Sequence, residues 1–78
     1  MAKYEVIVEL KKEVLDSEGR AITQSLSKLG HNELKDVKVS KRFVIDLEGA
    51  DSKEKAETIA KEYLANPVAE TFELRELR

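Results

Sequence analysis

Asp16-Ser17-Glu18-Gly19-Arg20-Ala21-Ile22-Thr23 decides the fold, because it returns 35 residues on as Asp51-Ser52-Lys53-Glu54-Lys55-Ala56-Glu57-Thr58. At each copy an alternating apolar run ends and an Asp-Ser pair offers side-chain oxygens to the free N–H groups of a helix start. A 3.6-residue apolar pattern then takes over. Each copy therefore predicts a strand followed by a capped helix. Carried outward, the same offset sets Val8 on Phe43, Leu10 on Ile45, Leu29 on Leu64, Val37 on Phe72 and Val39 on Leu74. The chain reads as two βαβ-like halves, a duplication too short to stack as a solenoid.

Tyr4, Val6, Val8 and Leu10 alternate with more polar neighbours, as in a strand with one buried face, and Ile7 is the exception. A helix is predicted over about 17–29, with Ile22, Ser25, Leu26 and Leu29 inward and Gly30 as a left-handed C-cap. Gly19 falls in its first turn, where glycine costs about 0.5–1 kcal/mol against alanine, so a close approach of another backbone is expected there. A second strand is predicted from Leu34 to Val39, a turn at Ser40-Lys41-Arg42, and a third strand carrying Phe43, Ile45 and Leu47, so that these two strands form a hairpin. The second helix, about 52–65, places Ala56, Ile59, Ala60, Tyr63 and Leu64 on one stripe. Asn66-Pro67 stops it, and a fourth strand follows from Val68 to about Leu77. The order β-α-β-β-α-β predicts one α+β domain over 1–78: a ferredoxin-like two-layer sandwich. Its antiparallel sheet carries both helices on one face, with the first and third strands central and oligomers formed through the sheet.

With 78 residues the core is thin, since a domain of this size buries only about 60–65% of its unfolded surface. No cysteine is present, so disulfides, thiolate metal sites and a cysteine nucleophile are excluded, and a cytosolic setting is expected. Charged residues are 38% of the chain and nearly cancel to a formal −2, which gives no footprint for nucleic acid or an anionic membrane. On the face opposite the helices, Ile7 and Val44 form a small apolar pair among Glu5, Glu9, Asp46 and Glu48. That face lacks the aromatics and basic residues of an RNA-binding sheet, and its carboxylates follow no ordered metal loop, so an ion-paired surface or subunit contact is expected.

Candidate chemistry is sparse. His31 follows the C-cap glycine in a polar loop, and Ser17 and Ser52 stand where caps belong. There is no nucleophile elbow and no phosphate-cradling glycine run, and Lys41-Arg42 is a basic turn. No residue set assembles a nucleophile, a base and an oxyanion donor, so no catalytic residue, bound cofactor or metal is expected. The residues alone point to a small protein-binding or ligand-binding domain.

Three stretches add a resemblance. Val14-Leu15-Asp16-Ser17-Glu18-Gly19-Arg20-Ala21 is one; Leu29-Gly30 followed by Val37-Lys38-Val39-Ser40-Lys41-Arg42-Phe43 is the second; Leu64-Ala65-Asn66-Pro67-Val68-Ala69-Glu70-Thr71-Phe72 is the third and most specific. In order and spacing they resemble the PurS subunit family of phosphoribosylformylglycinamidine synthase over essentially the whole chain. Ser17 stands where proline is common, and Lys38 and Ser40 where arginine and glycine are usual. The resemblance implies a non-catalytic subunit of purine biosynthesis that bridges a large synthetase subunit (PurL) and a glutaminase subunit (PurQ) and supports ammonia transfer. ATP and Mg would belong to the complex and not to this chain, which would form a homodimer or homotetramer. By position Asp16, Gly19, Lys41, Asn66 and Pro67, with Ile7 and Val44 of the open face, become structural or interface residues.

Two readings compete. An ACT-like regulatory domain shares the element order and would use Gly19 to admit an amino acid. An acyl-phosphate hydrolase of the same topology would need an arginine after the first strand, where Lys11, Lys12 and Glu13 stand instead.

Overall fold

Alternation over Ala2–Leu10 makes β1 the middle of the sheet, and its neighbours are set by the same period. In the computed structural model, which describes residues 1–77, the elements are β1 (Ala2–Leu10), α1 (Ser17–Lys28), β2 (Lys41–Leu47), α2 (Ser52–Ile59), a π-helical turn (Ala60–Leu64) and β3 (Glu70–Leu77). The strand order is β2-β1-β3 and both pairings are antiparallel. Val6 sits opposite Phe43 on one side and Leu74 on the other; Val8 sits opposite Phe72. This α+β arrangement is ferredoxin-like with three strands among the described residues.

The core lies between the sheet and the second helix. Val6, Val8, Ala60 and Ala65 are buried, and Phe43, Ile45, Leu64, Phe72 and Leu74 close around them half-buried. Small alanines at 56, 60 and 65 let the helix backbone approach the strands, and Tyr4 ties β1 to the start of α2 through a 2.9 Å hydrogen bond between its hydroxyl and that of Ser52. Tyr63, expected on the buried stripe, is 78% exposed. The reason is the π turn: the Ala65 N–H donates to the Ala60 carbonyl, five residues back, and the wider turn rotates Tyr63 off the stripe.

The two helices differ in how they start and in what they touch. Asp16 caps α1, its Oδ1 accepting from the Gly19 N–H at 2.8 Å. Asp51, its counterpart in the repeat, takes a left-handed conformation (φ 61°) and makes no side-chain cap, so only the first Asp-Ser pair caps as expected. Gly30 (φ 99°) closes α1, with His31 N–H donating to Leu26 and Gly30 N–H to Ser27. Among the described residues α1 is not packed on the sheet, which corrects the expectation of two helices covering one face. Ile22 and Leu29 of its apolar stripe are exposed, Leu29 to 75%.

The predicted second strand is likewise absent: residues 34–40 hold no regular secondary structure and pair with no strand, and no hairpin forms. Lys41 and Arg42, read as its turn, belong to β2 and pair with Val8 and Ile7, which leaves no loop to turn on. β2 is therefore an edge strand within the chain and only β1 is central. The molecule is long and flat, 52 × 27 × 13 Å, with a radius of gyration of 16.1 Å where about 11.5 Å is typical for this length.

Candidate functional site

Three small constructions organise the surface, and two of them rest on residues singled out by the sequence. The first is a clip at the start of α1. The Asp16 carboxylate holds two backbone N–H groups, Gly19 through Oδ1 and Val39 through Oδ2, both at 2.8 Å. The second contact joins α1 to the segment 34–40. A Cβ on Gly19 would lie 2.0 Å from the Val37 carbonyl oxygen, so the glycine is there for the close backbone approach its position foretold. Residues 16–39 thus form one arm, attached to the sheet through residues 11–15 and Ser40. Between arm and sheet opens a cleft of about 650 Å³ lined by Leu10, Lys12, Val14, Leu15, Asp16 and Val39, among others.

The clip should weaken in acid. The Val39 N–H, then the Gly19 N–H, hold the Asp16 carboxyl below the ordinary aspartate range. A depressed folded value makes the clip's contribution fully present above the unfolded value, near pH 4, and lost as pH falls through the folded value. Protection of the Val39 amide from hydrogen exchange should therefore persist through the ordinary aspartate range and be lost only as pH falls further, through the depressed folded value. In Asp16→Asn that protection should be weak at every pH, because an amide oxygen cannot serve both donors as well as a carboxylate does.

The second construction was not foreseen. On the sheet face away from the helices, Glu5 is buried to 5% exposure and its two oxygens are taken by arginines from the flanking strands: Arg75 donates to Oε1 at 2.6 Å and Arg42 to Oε2. Arg75 first, then Arg42, holds the Glu5 carboxyl below its usual range. Lys3 meets Asp46 nearby at 4.0 Å. Ile7, half-buried and paired with Arg42, and Val44, 44% exposed and paired with Glu5, stand on this same face beside the cluster. The face is ion-paired, one of the two outcomes expected of it. The two arginines, Arg42 and Arg75, stand in the sequence with nothing to tie them to Glu5, and their place on its face is readable only once the register is known.

The third is the turn at Asn66-Pro67. The Asn66 side-chain oxygen accepts from the Val68 N–H at 3.0 Å, its carbonyl accepts from Ala69 and Glu70, and its own N–H donates to the Glu70 carboxylate at 2.7 Å. Asn66 therefore carries the path from the π turn into β3, with Pro67 and Val68 exposed at its crown. Lys41 begins β2 at the edge of the sheet. His31 is exposed and lies 3.8 Å from Glu33, remote from the other candidates. Ser52 bonds Tyr4, and Asp16 takes the capping role weighed for Ser17. Among the described residues no helix is long and apolar enough to cross a membrane.

A small α+β chain with a clipped but unpacked arm, an open sheet edge and ion pairs where a ligand site would be is a chain built for subunit contact. The PurS family model, described as phosphoribosylformylglycinamidine (FGAM) synthase, matches residues 3–77. The chain belongs to the PurS family of FGAM synthase subunits. The PurS subunit of Methanocaldococcus jannaschii is 42% identical over 78 residues, covering 96% of this chain and 94% of that one. Its crystal structure, described as one of the subunits of formylglycinamide ribonucleotide amidotransferase in the purine biosynthetic pathway, superposes over 100% of this chain and 98% of its own with a TM-score of 0.87. Bacillus subtilis PurS superposes over 100% of both chains with a TM-score of 0.91 at 30% identity. A chain of the Thermotoga maritima PurLQS structure covers 97% of this chain and 96% of its own at 26% identity, with a TM-score of 0.73. The ACT-like alternative is set aside, since the family and these relatives are PurS.

Proposed function

We propose that this chain is the small bridging subunit of FGAM synthase in purine biosynthesis, holding the synthetase and glutaminase subunits together and contributing no reacting group. The observation that carries the reading is end-to-end likeness, in sequence and in fold, to PurS subunits, one of them in the PurLQS structure. The chain works in the cytosol as a homo-oligomer, and ATP and magnesium belong to the large subunit. Self-association is supported by the apolar residues α1 leaves exposed and by the unpaired edge of β2. The open face, with its paired charges around Ile7 and Val44, and the rigid Asn66-Pro67 turn are surfaces for the enzyme subunits.

Reconstitution tests this directly. With synthetase and glutaminase subunits present, turnover driven by glutamine should require the chain, whereas turnover of the synthetase driven by free ammonia should proceed without it. Equal dependence of both assays on the chain would contradict a bridging role.

A further inference from the structure

On the open face of the sheet two cations share one anion. Glu5 lies buried at its centre, and its carboxylate draws in Arg42 from β2 and Arg75 from β3. A guanidinium carries five N–H donors in a planar fork, and each arginine spends one of them on Glu5. The Arg42 side chain stays 57% exposed and that of Arg75 72%, so donors remain for an acceptor from outside.

The other acids of this face divide unequally between the two arginines. Glu73, directly across from Ile7, lends its field to Arg75 without forming an ion pair with it. Asp46, the one acid of β2, is met by Lys3 at 4.0 Å. Arg42 is left with Glu5 as its ion-pair partner and shares even that with Arg75. Glu5 takes the Arg42 Nε, so the two terminal nitrogens form the free end of the fork, the end that fits a carboxylate through two parallel hydrogen bonds.

We propose that Arg42, held by Glu5, is the anchor with which the open face takes one aspartate or glutamate side chain of an enzyme subunit. The inference rests on the bridging reading above, which gives this face to an enzyme subunit, and it names the group that must meet it. Covering the face strips water from both guanidinium groups, and a cation so buried without an anion of its own is costly. One carboxylate cannot answer two arginines, so the covering surface has to bring a second. It brings a single acid and not an acidic tract, because Glu9, Asp46 and Glu73 ring the cluster and repel a run of like charges. Glu5 already fixes the guanidinium in the free chain, so little side-chain freedom is lost on binding. Ile7 opposite Arg42, and Val44 two residues along β2, supply an apolar collar that keeps water from the contact.

Titrating the chain into the synthetase and glutaminase subunits, with glutamine-driven turnover as the readout, tests this. Arg42→Gln should raise the chain concentration for half-maximal turnover by at least about thirtyfold at an unchanged maximum. Arg42→Lys keeps the charge and loses the fork, so its value should fall between the two. Lys53→Gln, the same charge change on α2, should match the unaltered chain. Urea titration and sedimentation of each free chain accompany the assay. An unchanged half-maximal concentration in a folded Arg42→Gln chain would overturn the inference and leave bridging intact. A rise matched by an equal loss of self-association would assign the acid to a second copy and overturn it too. Should Arg42→Gln not fold, Arg42→Lys decides, and a value equal to that of the unaltered chain would overturn the anchor. If glutamine-driven turnover proceeds without the chain at all, the bridging reading falls and takes this inference with it.

Discussion

Val6→Asp is expected to abolish cooperative folding. Val6 is fully buried at the centre of the middle strand, between Phe43 and Leu74, and the core has few other buried side chains to compensate. Removing both methyls forfeits about 1.6 kcal/mol of transfer free energy. Leaving a carboxylate there without a partner adds several kcal/mol more, against a total stability of about 5–15 kcal/mol for an ordinary domain. Urea titration followed by far-ultraviolet circular dichroism should show no transition. Val44→Asp, on the same sheet but 44% exposed, should retain one. A folded Val6→Asp protein would mean that the sheet is not held by this layer.

Gly19→Ala is the second large effect, and its sign opposes helix propensity. Alanine is favoured over glycine within a helix by about 0.5–1 kcal/mol, so an isolated α1 would gain. In the folded chain the new methyl would sit 2.0 Å from the Val37 carbonyl oxygen, a backbone atom that can yield only by moving the whole segment. The Val39 amide should then leave Asp16, and its exchange protection should fall by tenfold or more, while the β1–β3 amides keep theirs. Unchanged protection at Val39 would refute the clip. The same variant separates arm from sheet, since α1 is joined to the rest by linkers and not by packing.

What the sequence made legible follows the local physics. The strands at 2–10, 41–47 and 70–77 and both helices are written in apolar periods, and Gly19 announced a close contact because glycine is costly in a first helical turn. Residues 34–39 carry a strand's alternation with no partner strand in their own chain, so the alternation alone predicts a hairpin that the chain does not form. The Ser40-Lys41-Arg42 turn failed because pairing with β1 competes for Lys41 and Arg42 and wins. Tyr63 was misplaced by a π turn, which adds a residue without changing composition. The Glu5 cluster needs residues 70 apart in sequence, and only a register brings them together.

The edge of β2 has a further consequence for the life of the chain outside its assembly. Phe43-Val44-Ile45 is a three-residue β-forming run on a bare rim, the kind of segment that recruits neighbours indiscriminately into fibrils. Lys41, Arg42 and Asp46 bracket it with charge and act as gatekeepers. Overexpressed without its fellow subunits, the protein should owe its solubility to those three side chains, and neutralising them should turn soluble protein into inclusion bodies.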